Sequence, residues 1–242
     1  MAAQVMGAAT VEEALLSRCS VRAFLPTPVP RGDVERLLAL ASRSASNSNG
    51  QPWHVHVLTG GAKRRLTEAL WEALDGDGRV AACEYPYQPA ADAWPEPFRG
   101  RRRSFGDGLY REALGIDVDD AAGRLRHHRR NYDFFGAPVG LVLTVSRHPL
   151  DSALVDAGLF LQALMLAARQ DGLDTCPQAA FLDFYPVLRR HLQIPDDQII
   201  VCGLALGFAD RDHALSRSRT PREPVRAFTT FHDDGPPRPG PA

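Results

Sequence analysis

Three groups of residues carry chemistry by type and spacing. The first is Arg18-Cys19-Ser20-Val21-Arg22. In an extended segment alternate side chains share a face. Arg18, Ser20 and Arg22 then present two planar guanidinium forks and a hydroxyl together, which is the equipment for an anion, a phosphate above all. The second is Ser46-Asn47-Ser48-Asn49-Gly50-Gln51-Pro52-Trp53. Small side chains let backbone approach a flat ligand, and asparagine offers both donors and acceptors. The third is Arg217-Ser218-Arg219, just before Thr220-Pro221. Each group also has an ordinary reading: a solvated turn, a set of turn caps, a run of surface charge.

Elements must hold these residues in place. Residues 11–17 read as a helix that delivers the first arginine. Residues 33–43 place Val34, Leu37, Leu38 and Ala41 at helical spacing. A strand over 54–58 follows the asparagine loop, and 63–74 is helical through Leu66, Ala69, Leu70 and Leu74. Residues 75–108 are rich in glycine and proline, with Tyr85, Tyr87, Trp94, Phe98 and an arginine cluster over 99–103. They read as an irregular insertion long enough to be functional. Helices are expected over 109–115, 119–133 and 182–192. Strands are expected over 139–145, 199–208 and 225–231. Residues 152–170 are apolar on nearly every face, so that helix must be buried on all sides, centrally or across a dimer interface. Gly172 reads as a helix cap followed by a turn. A Gly/Pro-rich tail from 232 reads as disordered. The whole, 1–242, reads as one domain with an ordered core over about 11–230: an α/β sandwich, one sheet with helices on both faces. No G-x-G-x-x-G occurs, so a Rossmann nucleotide site is unsupported.

Composition narrows the partners. The 242 residues are 44% hydrophobic with a formal net charge of -1, which makes no case for nucleic acid or a membrane surface. Lys63 is the single lysine among 28 basic residues, so any anion site must be built from arginine. The 4 cysteines are scattered, with no C-x-x-C, and read as free cytosolic thiols. The apolar stretch 157–168 is shorter than the ~20 residues a bilayer needs. Residues 1–10 lack the regions of a signal peptide. A soluble cytoplasmic protein is expected. His54 and His56 share a strand face without a third ligand, so no metal is expected. Cys176 reads as a packed small residue rather than a nucleophile. Asp156 reads as a hydrogen-bonded interior or interface residue.

Taken in order, Arg18-x-Ser20-x-Arg22-x-Phe24 and Ser46-x-x-Asn49-x-Gln51-Pro52-Trp53 resemble the N-terminal signature of the FMN-dependent nitroreductase family. The resemblance extends over about 11–230. It implies a nitroreductase-like fold, with a central mixed sheet flanked by helices in an intertwined homodimer. It implies FMN phosphate on Arg18 and Ser20, with Cys19 standing where relatives often carry a basic residue. It implies Arg22 near N1 and O2 of the flavin ring. Arg217 and Arg219 would close on the same phosphate. Ser46, Asn47 and Asn49 would reach the flavin from the partner subunit, supported by Gln51. The run Gly172-Leu173-Asp174-Thr175-Cys176-Pro177-Gln178-Ala179-Ala180 resembles the nitrobenzoate-reductase subgroup. There a backbone N–H near Ala179 or Ala180 would face N5, and Asn131 would bond the pyrimidine edge. No catalytic side chain is implied, since the chemistry belongs to the flavin.

The activity so implied is hydride transfer from NAD(P)H through FMN to an electron-poor nitroaromatic or quinone, by a ping-pong mechanism. Rival readings are a same-fold dehydrogenase or oxidase of biosynthesis, a dehalogenase, a flavin-binding protein without turnover, and a plain anion-binding module.

Overall fold

The computed structural model describes residues 7–90, 93–217 and 219–232. The β-rich runs form β1 (Trp53–Thr59), β2 (Val139–Ser146), β3 (Asp174–Gln178) and β4 (Gln198–Gly207). They make one sheet in the order β1-β2-β4-β3, and each strand pair is antiparallel. The parallel component among the described residues is the bridge from Ser20 to Thr175. Strand alternation divides the core in two. Leu141, Leu143, Leu204 and Leu206 face one way, onto Leu37, Phe160 and Leu164; Val142 and Ala205 face the other, toward Leu66, Phe181 and Leu188.

The first face is covered by α2 (Arg31–Ala41) and α6 (Leu150–Gln170), the second by α3 (Gly60–Asp75) and α7 (Tyr185–Leu192). Helix α1 (Val11–Ser17) packs on α6 and starts with a capping box between Thr10 and Glu13. Two glycines admit aromatic rings against the sheet. A Cβ on Gly140 would stand 2.6 Å from the ring of Phe134, and one on Gly203 would stand 2.4 Å from Phe181. The two rings meet at a tilt of 33° with centroids 4.9 Å apart.

The structure corrects several expectations. Residues 174–178 are a strand, not a turn. Pro177 is tolerated because β3 is an edge strand. Part of the 75–108 insertion is regular: α4 (Phe98–Gly106) runs on into a π-helical turn, Asp107–Glu112. Helix α4 buries no residue, so it has no apolar period to betray it. The 119–133 helix divides into α5 (Ala121–Arg129) and a 3-10 segment, Arg130–Gly136. The 182–192 helix likewise begins as a 3-10 turn, Ala179–Phe184, before α7. The expected strand at 225–231 is instead a 3-10 turn, Val225–Ala227, with Val225, Phe228 and Phe231 exposed. The tail expectation, from residue 233 on, lies outside the described residues.

Helix α6 is not enclosed on all sides within the chain. Ala153, Ala157, Phe160, Leu164 and Ala168 are buried, while Val155 is 66% and Leu159 46% exposed. By length and composition alone the helix could cross a membrane, but its buried face belongs to the core described above.

The irregular part of the insertion is pinned from within. Glu84, with 5% of its side chain exposed, accepts from Arg147 at 3.2 Å, from Arg189 Nε at 3.0 Å and from the Ile200 N–H at 3.2 Å. Beside it, Tyr85 donates to the Val201 carbonyl at 3.1 Å.

Candidate functional site

Arg18 ends α1 in extended backbone, φ -64 and ψ 132. The chain then lies along β3: Ser20 bridges Thr175, and the Val21 N–H donates to the Thr175 carbonyl at 3.0 Å. It continues to the end of β4, where Leu25 donates to Phe208 at 2.8 Å and Asp210 donates back to Ala23 at 2.9 Å. Val21 and Ala23 are buried, whereas Arg18, Ser20 and Arg22 are partly exposed. The expected alternation is therefore present from Ser20 to Ala23, while Cys19 is partly exposed like its neighbours. Arg22 Nη1 donates to the Ser20 carbonyl at 3.1 Å, and its guanidinium lies 5.3 Å from the centre of the Phe105 ring. Helix α4, hidden in the sequence, thus reaches the arginine motif.

Strand β3 supplies the floor beside this segment. Cys176 is buried, and burial pushes its thiol up to about 11, so it is protonated and packed. Gln178 Nε2 donates to the Asn131 carbonyl at 2.6 Å. That bond brings Asn131 to the same end of the sheet, although the Asn131 amide itself donates to His128 at 2.8 Å. Ala179 and Ala180 open the next turn, and the Ala180 carbonyl accepts from the Tyr132 hydroxyl at 3.5 Å. Two buried polar atoms here, Thr175 Oγ1 and Gln178 Oε1, have no hydrogen-bond partner among the described residues.

The surroundings are electropositive. Burial first, then the charges of Arg130 and Arg22, pull the His127 imidazole down to about 4, so it is neutral at pH 7. Arg219 donates to the Ser216 carbonyl at 3.0 Å and Arg217 to Asp212 at 3.5 Å; Ser218 lies outside the described residues. The charge of Arg219 bears on Asp174, at the head of β3. Asp174 also pairs with Arg169 and Arg211, a cluster that sequence reasoning missed. Its one signal was charge where none is expected: an arginine ending an apolar helix, and an aspartate following Gly172-Leu173.

The asparagine loop lies elsewhere in the chain. The Asn47 N–H donates to both Asp156 oxygens, at 3.1 and 3.2 Å, so Asp156 is an interior hydrogen-bonded residue as expected. Ser48, Asn49 and Gln51 hold positive φ of 52, 58 and 45, and asparagine tolerates that region better than most residues. The Gln51 N–H donates to Ser46 Oγ at 3.1 Å, and its amide donates to the Asn49 carbonyl at 3.3 Å. Asn47 and Asn49 are exposed. The loop is anchored to α6 at Asp156, whereas the arginine motif is tied to the same helix at Arg169 through Ser17 at 3.3 Å. At 1.5 Å per residue these anchors are roughly 20 Å apart. The two motifs are thus anchored at different ends of one helix.

His54 and His56 share β1 without a third ligand, and no cluster of metal-binding side chains occurs among the described residues. Desolvation, then the neighbouring His54, lowers the His56 pKa.

Comparison with known proteins identifies the family. Residues 15–208 match the nitroreductase family. The chain is 51% identical over 214 residues to the 4-nitrobenzoate reductase of Nocardioides sp. (strain LMS-CY), covering 88% of this chain and 86% of that protein. Its fold is similar to the crystal structure of the FMN and NADPH-dependent nitroreductase NfnB from Sphigopyxis sp. strain HMH. The TM-score is 0.87 at 34% identity, covering 93% of this chain and 99% of that one. It is also similar to the FMN-dependent nitroreductase NfnB from Mycobacterium smegmatis in complex with NADPH. There the TM-score is 0.86 at 32% identity, covering 92% of this chain and 97% of that one. The chain belongs to the nitroreductase family.

Proposed function

We propose that the protein is an FMN-dependent oxidoreductase that takes reducing equivalents from NADPH and delivers them to nitroaromatic acceptors. The observation that carries this is the arginine motif laid along β3, with Thr175 Oγ1 and Gln178 Oε1 buried beside it and unpartnered. A buried polar atom left unsatisfied costs about 1–3 kcal/mol. Thr175 and Gln178 project to opposite faces of β3, so a polar-rimmed flavin carrying a phosphate suits the arginines and the one of these atoms on the face it covers.

In this reading Arg18, Ser20, Arg217 and Arg219 hold the phosphate, with Cys19 as a neutral neighbour. Arg22 lies at the pyrimidine side of the ring, near Asn131. Pro177, Gln178, Ala179 and Ala180 form the strip under it. Bound FMN supplies the two-electron chemistry between NADPH and acceptor. The protein supplies orientation, exclusion of water and positive charge, and no acid–base side chain is required.

The working unit is a homodimer, supported by the separation of the two motifs along α6 and by the exposed Val155 and Leu159. Ser46, Asn47, Asn49 and Gln51 serve the site of the partner subunit. The chain is one domain across 1–242. Free thiols at all 4 cysteines favour the reducing cytoplasm.

The test is spectral and kinetic. The purified protein should be yellow, with a chromophore that chromatographs as FMN. It should oxidise NADPH only when an acceptor such as 4-nitrobenzoate is added. Double-reciprocal plots at several fixed NADPH concentrations should be parallel, since one flavin face serves both substrates in turn. Recovery of FAD, or a holoprotein that does not turn over with any nitroaromatic, overturns the proposal.

A further inference from the structure

The phosphate end of the site contains more than its sequence motifs. Asp174 opens β3 with a side chain that is 0% exposed. Its Oδ1 accepts from Arg169 Nη1 at 3.1 Å and its Oδ2 from Arg211 Nη2 at 2.6 Å. A carboxylate sealed from water persists only with such partners, because its desolvation is otherwise uncompensated.

The two arginines are not equivalent. Arg169 is buried with the aspartate, and its other donors go to the Leu173 carbonyl at 3.0 Å and the Ser17 hydroxyl at 3.3 Å. It is structural cement between α1, α6 and β3. Arg211 keeps 40% of its side chain exposed, and among the described residues its hydrogen bonding is limited to Asp174. A guanidinium has five N–H donors in a rigid fork. One edge of Arg211 is thus fixed by a buried anion while the rest faces outward.

Its surroundings are those of the arginine motif. Thr175, next to Asp174, is the residue that bridges Ser20. Asp210, next to Arg211, donates to Ala23 at 2.9 Å. Arg211 therefore stands where the motif passes from β3 to the end of β4. The charge of Arg219 reaches the same aspartate. The carboxylates here are Asp174 and, flanking Arg211, Asp210 and Asp212; against them stand Arg18, Arg169, Arg211, Arg217 and Arg219, a surplus of positive charge. A phosphate monoester near pH 7 carries close to two negative charges.

We propose that Arg211 is a further ligand of the flavin phosphate and that Asp174 is its positioning residue. The proposal rests on the FMN reading above. The aspartate does not touch the ligand; it holds one edge of the fork so that the remaining donors are aimed without loss of side-chain freedom on binding.

Flavin release from holoprotein, followed by fluorescence, tests this with FMN and with riboflavin, which lacks the phosphate. Arg211→Gln should weaken FMN by roughly 10- to 100-fold, the scale of one charge-assisted hydrogen bond, and leave riboflavin unchanged. Asp174→Asn should show the same selective loss, and Asp174→Glu should recover part of it. If the buried Asp174 variants do not fold, the exposed Arg211 variant decides the matter alone. Equal weakening of both flavins would mean a merely structural role and would overturn the proposal. So would an Arg211 variant whose FMN-to-riboflavin preference matches the parent's while the parent retains FMN. A parent that holds neither flavin overturns the FMN reading, and this proposal with it.

Discussion

Arg22 shows how one side chain is made specific by what it touches. Its guanidinium is held by the Ser20 carbonyl and by the face of Phe105, so its position is set before any ligand arrives. Positive charge fixed near the pyrimidine side of a flavin stabilises negative charge on the reduced ring, most strongly where water is excluded. Arg22→Gln keeps much of the length and removes the charge. The variant should retain FMN and show a lower two-electron potential by spectroelectrochemistry. An unchanged potential would take Arg22 out of contact with the ring. His127 gives a pH prediction at the same scale. Its folded pKa is about 4, against 6.5 when free. Between these values the unfolded chain binds a proton that the folded chain refuses, so this residue's share of stability is intact above about pH 6.5 and declines toward pH 4. Thermal melts should show a larger fall from pH 7 to pH 5 for the parent than for His127→Asn. Equal falls would show that the imidazole is not held neutral.

Among the elements, the insertion between α3 and α5 contains two kinds of attachment. Its first part is stapled by Glu84 to Arg147, Arg189 and the β4 backbone. Glu84→Gln removes the anion from Arg189 and the part-exposed Arg147, a loss of about 1.5–3 kcal/mol on the scale of a charge-assisted hydrogen bond. Urea melts should register it, with proteolysis appearing first in residues 75–97. A variant as stable as the parent would mean the staple is solvated. Helix α4 is attached differently, by Phe105 on Arg22 and by Arg101 on Glu223 at 2.9 Å, with no buried residue of its own. Elements with little buried surface open at low free energy. Hydrogen exchange over 98–106 should be fast compared with α6, and flavin loading should slow it. Exchange as slow as that of α6 would show that α4 is locked by contacts other than these.

For the whole molecule, the decisive relation is between the two ends of α6. The asparagine loop sits at Asp156 and the arginine motif is tied to Arg169, and in the homodimer proposed above a second chain supplies the loop to each site. In that proposed homodimer the exposed Val155 and Leu159 belong to the interface. Leu159→Glu places a charge there without touching the buried face. Light scattering and flavin absorbance should report monomer and loss of FMN together. A monomer that still holds FMN would show that each chain owns its whole site.

Local pattern alone was enough for α1, α2 and α3, for the strands β1, β2 and β4, and for the alternation from Ser20 to Ala23. Each rests on a period of two or 3.6 residues, or on a short motif, and those are contained within a few residues of chain. Tertiary structure decided the rest. Strand β3 exists because β4 offers an edge to Asp174–Gln178, a pairing no local window contains and one that Pro177 disguises. Helix α4 has no apolar face to announce it. Asp174, Arg169 and Arg211 form one cluster only after α6, β3 and the segment beyond β4 converge. The outward side of α6 looked like core because its sequence is apolar all round. Which of those apolar side chains are sealed depends on what packs against them, and that is a property of distant segments meeting in space.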